Sequence, residues 1–392
     1  KRKSSGAGPT PAAPACTISR FSTPTASPSA ADRSGNFLYV RVAFWLLIPL
    51  MKSMRLFLLS LCIVLVFAGT SCQRQQAAAP IAYVTNGVDP FWDLCAAGVR
   101  QAEAEFNIKC AVLMPANGLA DQQRMLEDLL ARGVQGIAIS TIAGEGQTQA
   151  INEACKQAVV ITQDSDSPNS DRQVFIGTDN YKAGRACGKL VLEALPEGGT
   201  VMIFVGRMDQ DNAKLRRQGV VDVLLGRDQT NVTKKEYSPL AGELKNDKFT
   251  ILGTLTDQFD YAKAKSNAEE AIETHKETGL DCMVGLFAYN IPNCLEAVKA
   301  ADKLGQIKLV SFDEHDSVLE AIKSGHVQGT VSQQPWKYGY ESVRVLKSLL
   351  DNDHSVIPEN KFIEIPFLSV TKENVDDFIV KKKKMEKLGK KK

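Results

Sequence analysis

From residue 80 onward, short apolar runs rich in Val and Ile alternate with amphipathic stretches of about ten to sixteen residues. Most of the runs are unbroken, as in strands that are covered on both faces of a parallel sheet. The stretches between them place apolar side chains at helical spacing, as at Cys95, Val99, Ala102 and Phe106. Repeated strand and helix units predict an α/β fold with helices on both faces of parallel sheets. The predicted strands are 81–85, 110–114, 136–140, 159–162, 174–177, 201–205, 250–255, 283–287, 308–312 and 327–331.

This number of strands predicts two similar doubly wound lobes rather than one sheet. The chain has 392 residues, 44% of them hydrophobic and 23% charged, which is enough to build two apolar cores. The segment 72–380 carries 31 basic and 43 acidic side chains, a net charge of −12. Such an acidic body argues against a nucleic acid as partner.

The residues before the alternating body have a different character. Residues 1–50 lack a sustained apolar period, and we expect them to be disordered or to precede the true start of translation. In segment 51–71, the basic residues Lys52 and Arg55 precede an uncharged apolar stretch and then small residues. This pattern predicts a secretory signal peptide.

Cys72 follows the small residues directly, and 72–79 is a polar, Ala-rich tether. The arrangement resembles a bacterial lipoprotein signal, which implies that Cys72 is lipidated and anchors the chain to a membrane. Two alternatives stay open, a signal that is cleaved without lipidation and an uncleaved membrane anchor that uses the apolar stretch 42–50.

The six cysteines of the body show no Cys-x-x-Cys spacing, and the four histidines are not spaced as metal ligands beside them. A zinc site is therefore not expected. We expect most of these cysteines to be small buried side chains, although an oxidising compartment would allow one or two disulfides. No dinucleotide, phosphate-loop or nucleophile-elbow motif is present, so the sequence predicts neither a cofactor nor an enzyme. The cysteines are Cys95, Cys110, Cys155, Cys187, Cys282 and Cys294.

The residues that follow the predicted strands are carboxylates, carboxamides and aromatics. In doubly wound sheets, ligands bind outside the carboxyl ends of the strands. Sugar hydroxyls need charged acceptors and amides, and the apolar faces of a sugar ring need flat aromatic surfaces. The strand ends therefore predict a sugar site.

The order of these residues resembles the type I periplasmic sugar-binding proteins of ABC transporters, close to the ribose-binding branch, over roughly residues 80–370. In ribose binders, Asn usually stands at the position of Asp89 and Arg at that of Ser165, so ribose itself is not the sugar we expect. The resemblance implies a pentose or hexose bound by Asp89, Phe91, Trp92, Asp164, Ser165, Arg216, Phe259, Asn290, Asp313 and Gln333.

The resemblance also implies how the lobes are built. The first lobe would take 80–178 and 334–358, and the second 179–333 and 359–370, with three crossovers as a hinge. It implies a monomer in the periplasm or at the cell surface that delivers a monosaccharide to an ABC permease. We expect the Lys-rich segment 381–392 to be a disordered tail.

Other interpretations remain open for single residues and for the function. Phe91, Trp92 and Phe259 would also fit core positions, and Asp164, Asp179, Asp313 and Asn290 would also fit helix caps. Asp179 is expected to be such a cap, whereas Asp166, Arg217 and Glu314 are expected to face solvent. The functional alternatives are a sugar or quorum-signal receptor coupled to a sensor and, less favoured, the effector domain of a repressor.

Overall fold

The computed structural model describes residues 79–231 and 235–389. The segments 1–50 and 51–71, the tether and Cys72 lie outside the described residues, as do residues 390–392. Within the described part of the chain, no helix is both long and apolar enough to cross a membrane.

Six parallel strands form the first sheet, and its apolar cores lie on both faces. Along the first strand, Ile81 and Tyr83 belong to one core, whereas Ala82 and Val84 belong to the other. The strands are β1 (Ile81–Val84), β2 (Cys110–Leu113), β3 (Gly136–Ile139), β4 (Val159–Gln163), β5 (Phe175–Gly177) and β12 (Phe362–Glu364). Their order across the sheet is β12-β5-β4-β3-β1-β2.

Seven strands form the second sheet, which is parallel except at its edges, where β7 and β13 run antiparallel to their neighbours. Its cores also lie on both faces, since Val201 and Ile203 pack on one side and Met202 and Phe204 on the other. The strands are β6 (Gly199–Val205), β7 (Leu244–Lys245), β8 (Phe249–Thr256), β9 (Cys282–Gly285), β10 (Lys308–Phe312), β11 (Gly329–Ser332) and β13 (Leu368–Thr371). Their order is β13-β11-β10-β9-β6-β8-β7.

Helices connect most consecutive parallel strands, although β4 continues to β5 without one, and a 3-10 turn lies at Gly144–Gln147. The helices are α1 (Pro90–Phe106), α2 (Leu119–Ala131), α3 (Thr148–Cys155), α4 (Asn180–Ala194), α5 (Asp211–Leu224), α6 (Tyr261–Thr274), α7 (Asn290–Ala300), α8 (Asp316–Lys323), α9 (Pro335–Leu350) and α10 (Val375–Gly389). The prediction of two α/β lobes built on parallel sheets is confirmed.

Two glycine-mediated helix contacts position the residues around the strand ends. A Cβ atom added to Gly339 on α9 would lie 1.9 Å from the Cys95 carbonyl on α1. In the second lobe, a Cβ on Gly184 of α4 would lie 2.1 Å from the Arg216 carbonyl on α5. Because no larger residue fits at these contacts, α1 packs closely against α9, and α4 packs closely against α5.

The chain passes between the two sheets three times, after β5, after β11 and after β12. The predicted assignment of 359–370 to the second lobe is wrong for its first part. Strand β12 pairs in parallel with β5 of the first sheet, where the rings of Phe362 and Phe175 stack at 5.4 Å. Only β13 belongs to the second sheet, at the edge of β11.

The Lys-rich segment is helical rather than disordered as far as it is described, because it forms the second half of α10. Phe378 and Ile379 on this helix pack against the core of the second lobe. Lys382 pairs with Asp316 at 2.5 Å and with Glu386 at 2.8 Å. The helix also packs against α1 of the first lobe.

The six body cysteines are unpaired, and all except the half-buried Cys155 are buried. The expectation of small buried side chains is therefore confirmed, and the structure contains none of the disulfides that the sequence left open among these residues.

Candidate functional site

A cavity of about 560 Å³ lies between the two lobes, and the residues that line it follow the carboxyl ends of β1 to β4 in the first sheet and of β6, β8 and β9 in the second. The first lobe contributes Asn86, Asp89, Phe91, Trp92 and Asp164, and the second contributes Arg207, Arg216, Phe259, Tyr261, Phe287 and Tyr289. The position agrees with the rule that doubly wound sheets bind ligands outside their strand ends.

Two hydrogen bonds join the lobes across this cavity. The Tyr261 hydroxyl donates to the Asp89 carboxylate at 2.7 Å, and the Gln210 amide donates to the Ile142 carbonyl at 3.0 Å. The other oxygen of Asp89 accepts from the Phe91 N–H at 2.9 Å and caps α1. Asp89 therefore combines a structural role at the helix with a position at the cavity wall.

Aromatic rings form the apolar part of the wall on both lobes. Phe91 and Trp92 meet edge to face at 4.9 Å, and Phe259 meets Phe287 at 5.7 Å. Phe91 and Trp92 pack on the core of the first lobe as well as lining the cavity. The core and ligand interpretations of these two residues are thus compatible, because one ring face can pack inward while another part lines the cleft.

Asp164 reaches the cavity from a strained position directly after β4. Its φ is 59°, and its carboxylate accepts a hydrogen bond from the Ser140 hydroxyl at 2.9 Å. Burial raises the pKa of Asp164, and the positive charge of Arg216 opposes this rise. No described helix begins at Asp164, so the alternative of a helix cap does not apply to it, whereas Asp179 caps α4 as expected.

Ser165 is not brought to the cavity. Its hydroxyl lies 3.3 Å from that of Thr141, and its backbone N–H donates to the Gln163 carbonyl at 2.7 Å. The neighbouring Asp166 is not in solvent either, since its carboxylate accepts two hydrogen bonds at 2.6 Å from Arg172. The chain turns back on itself after Asp164, which points the next two side chains away from the cleft.

The Arg216 guanidinium is 1% exposed, and every one of its nitrogens donates to the protein. Nε donates to Asn180 at 2.8 Å, Nη1 to the Leu286 carbonyl at 3.0 Å, and Nη2 to Gln333 at 2.7 Å. The guanidinium also lies 4.1 Å from the centre of the Phe312 ring. Since the group has five N–H donors, two remain for a ligand in the cavity.

Arg217 was expected in solvent, and this prediction is wrong. It is 3% exposed and donates to the Thr254 hydroxyl and to the carbonyls of Ser238 and Pro239. Its guanidinium ties the loop before β7 to helix α5, which explains its burial.

Gln333 connects Arg216 to Asp313. Its Oε1 accepts from Arg216 and from the Tyr338 hydroxyl, and its Nε2 donates to the Asp313 carboxylate at 2.9 Å. Asp313 follows β10 with a φ of 66°. Gln333 does not line the main cavity, and Asp313 lines a second one of about 580 Å³ that shares Asp89 and Phe91 with the first.

Glu314 was expected in solvent, but it is 7% exposed and also lines the second cavity. Burial raises the pKa of Asp313 to about 7, and Arg216 opposes the rise. Burial and repulsion from Asp313 raise the pKa of Glu314 to about 8. Two adjacent buried carboxyl groups cannot both ionise easily, so the pair retains a proton near neutral pH.

Asn290 lies behind the cavity wall, where it orients other groups. Its amide donates to Asp257 at 2.9 Å and its oxygen accepts from the Phe287 N–H at 3.0 Å. Asp257, which the sequence analysis did not single out, is 1% exposed and also accepts from the Tyr289 hydroxyl and the Phe259 N–H. Burial raises its pKa to about 6. Its position directly after β8 is the signal by which it could have been found.

Tyr261 and Arg207 also line the cavity, although the sequence analysis did not select them. Among residues 79–231 and 235–389, no group of three or more His, Cys, Asp or Glu side chains is arranged to hold a metal ion. The cleft therefore offers acceptors, a buried cation and aromatic faces, which together suit a polyhydroxylated ring.

Comparisons with known proteins agree with this geometry. Residues 81–354 match the family described as periplasmic binding protein domain. The chain is 25% identical to the ribose import binding protein RbsB of Haemophilus influenzae, over 71% of this chain and 88% of that protein. It is 22% identical to a D-apiose import binding protein of Paraburkholderia graminis, over 76% of this chain and 90% of that one.

Among solved structures, an ABC transporter solute-binding protein from Burkholderia graminis in complex with D-arabinose superposes with a TM-score of 0.65 at 25% identity, covering 75% of this chain and 95% of that one. A solute-binding protein from Agrobacterium vitis with bound D-fucose has a TM-score of 0.67 at 22% identity, over 77% and 98% of the two chains. At 22% identity, the similarity to the Agrobacterium vitis protein establishes the fold alone.

The buried pair of carboxyls predicts that the ligand-free protein loses stability as the pH rises. The folded-state pKa values of about 7 for Asp313 and about 8 for Glu314 lie above the unfolded values of about 4. The folded state therefore keeps protons that the unfolded chain releases, so the free energy of unfolding falls from about pH 4 to about pH 8. Melting temperatures measured by calorimetry across this range should fall, and Glu314→Gln should flatten the decline from about pH 4 to about pH 8.

The exposed Glu127 on α2 provides a matched control. Glu127→Gln should leave the pH dependence as it is in the unaltered protein. If Glu314→Gln also leaves it unchanged, then burial does not hold a proton on Glu314.

Proposed function

Because the chain belongs to the periplasmic binding protein domain family, we propose that it is an extracytoplasmic solute-binding protein that captures a monosaccharide between its lobes and delivers it to an ABC-type permease. The observation that carries the proposal is the cavity between the lobes, with Asp164 and Arg216 facing it from opposite lobes. Its volume is in the range of small-molecule sites.

The binding role of each group follows from its chemistry. Asp164 and Asp89 accept hydrogen bonds from sugar hydroxyls, and the two free N–H groups of Arg216 donate to ring or hydroxyl oxygens. Phe91, Trp92 and Phe259 cover the apolar faces of the ring. Asn290 and Gln333 act from behind the wall, since Asn290 holds Asp257 and Gln333 holds both Arg216 and Asp313.

Closure of the lobes completes the site. The hydrogen bonds from Tyr261 to Asp89 and from Gln210 to Ile142 join the lobes at two places beside the cavity. A bound ring would add further contacts to both lobes, which favours the closed arrangement over the open one. The relatives named above as ribose and D-apiose import binding proteins support a monosaccharide as ligand, and a pentose in particular.

Asp164 gives the most direct test of the sugar site. A screen of pentoses and hexoses by thermal shift identifies the ligand, because a ligand that binds only the folded state raises the melting temperature. Asp164→Asn should then weaken its binding by about tenfold or more in calorimetry. A charge-assisted hydrogen bond to a buried hydroxyl is worth roughly 1.5–3 kcal/mol. The amide keeps the volume of the side chain and tolerates the positive φ.

Asp179→Asn is the matched control, because Asp179 caps α4 and does not line the cavity. It should leave the affinity unchanged, since Asn caps a helix as well as Asp does. Equal affinities of Asp164→Asn and Asp179→Asn would contradict the proposed site.

We further propose that the protein is held at a bacterial membrane by a lipid on Cys72, in the periplasm or at the cell surface. The basic, apolar and small residues of 51–71 and the Ala-rich tether support this. When the chain is expressed in a bacterium, it should partition with membranes, and Cys72→Ser should release it to the soluble fraction. Equal partitioning of the two forms would overturn the lipid anchor and leave the sugar site untouched.

A further inference from the structure

Acidic side chains from both lobes line part of the second cavity, beside apolar residues of α1. We call it the acidic compartment, defined by Asp89 and Asp93 of the first lobe and Asp313, Glu314 and Asp316 of the second. Helix α10 forms another part of its wall through Lys382 and Glu386. Its volume of about 580 Å³ is as large as that of the main cavity.

The basic side chains Lys382 and Arg100 line this compartment and already pair with carboxylates, and those that Lys382 binds, Asp316 and Glu386, belong to the compartment wall. Lys382 pairs with Asp316 and Glu386, and Arg100 pairs with Glu103 at 2.6 Å while also donating to the Cys110 carbonyl. Among the residues that the structure describes, the carboxylates of Asp89, Asp93, Asp313 and Glu314 form no ion pair. The compartment therefore has an excess of negative charge and of hydrogen-bond acceptors.

Glu314 provides an independent sign that a donor is missing. Its Oε2 atom is buried and has no hydrogen-bond partner, and the residue as a whole is only 7% exposed. A buried acceptor without a donor is costly, and native structures contain few of them. A group that donates hydrogen bonds and carries positive charge would relieve both the missing bond and the charge excess.

The compartment adjoins the main cavity, because Asp89, Phe91 and Ala288 line both. A ring bound in the main cavity against Asp89 therefore lies next to the acidic compartment. We propose that the sugar bound by this protein carries a protonated amine, and that the amine lies among these carboxylates. The inference rests on the proposed function, since it assigns the class of sugar to the same cleft.

An ammonium group on the sugar fits the acidic compartment better than a hydroxyl group or a carboxylate does. It has three donors and no acceptor, whereas carboxylates are acceptors only. An anionic sugar would be repelled by the same charges. A cation in the compartment would also favour the ionised forms of Asp313 and Glu314, whose pKa values burial now raises to about 7 and about 8.

The test compares sugars that differ only in the amine. Calorimetry at neutral pH should be done with D-glucosamine and D-glucose, and with D-galactosamine and D-galactose, with the N-acetylated forms as uncharged controls. In at least one pair, the amine should bind about tenfold or more tightly than its hydroxyl counterpart, and acetylation should remove the gain. If a neutral sugar binds as tightly as its amine or more tightly, the inference fails and the proposed function stands. If none of these sugars binds, the inference fails, and the thermal-shift screen of pentoses and hexoses decides on the proposed function.

Substitutions in the acidic compartment then test whether the amine of the sugar lies there. Glu314→Gln and Asp93→Asn should each reduce the preference for the amine by about threefold or more, while the affinity for the neutral sugar changes less. Glu127→Gln, an exposed site on α2, is the matched control and should keep the full preference. If both Glu314→Gln and Asp93→Asn also keep it, the amine does not lie in the acidic compartment and the inference is overturned.

Discussion

The structure depends on the buried guanidinium of Arg216. Its nitrogens bind Asn180 at the start of α4, the carbonyl of Leu286 just after β9, and Gln333 at a crossing between the lobes. A buried charge is tolerated only when its hydrogen bonds are satisfied, so these three elements must stay in register for the protein to fold. Two donors remain on the side of the cleft, which makes the same group a structural centre and a ligand-binding group.

The buried carboxyl groups of the cleft differ in how strongly Arg216 affects them. The positive charge of Arg216 lowers the pKa of Asp164 and of Asp313, but burial has the larger effect and raises both pKa values. Asp257 and Glu314 are buried with only neutral groups as hydrogen-bond donors, and burial raises their pKa values as well. The cleft therefore holds several carboxyl groups at a cost in stability. Such strained electrostatics are common at binding sites, because a ligand that supplies donors or positive charge lowers the cost.

Much of the fold could be predicted from the sequence, because unbroken Val and Ile runs separated by amphipathic stretches fit few arrangements other than parallel sheets with covered faces. The short edge strands β7, β12 and β13 were missed, since two to four residues at an edge carry little pattern. Helix α10 was missed because its lysines indicated a solvated tail, whereas Phe378 and Ile379 anchor it to the second lobe.

The candidate site could be predicted in part. The rule that ligands bind at strand ends led to Asp89, Asp164, Phe259 and Asp313, because a strand end can be read from the sequence. It could not tell which side chain of consecutive polar residues faces the cleft, and Ser165, Asp166 and Glu314 were misassigned for that reason. Which side chain faces the cleft depends on local backbone turns. The positive φ of Asp164 and of Asp313 turns the chain, so that the next side chain does not follow the alternation of the strand.

The central claim is that two lobes close around a sugar, and small-angle X-ray scattering tests it most directly. The lobes are joined in this structure through Asp89 and Tyr261 and through Ile142 and Gln210, which are contacts that an open form would lack. With saturating ligand, the radius of gyration should fall below that of the ligand-free protein, because the bound ring holds both lobes together. Identical scattering curves with and without a ligand that calorimetry shows to be bound would contradict the account.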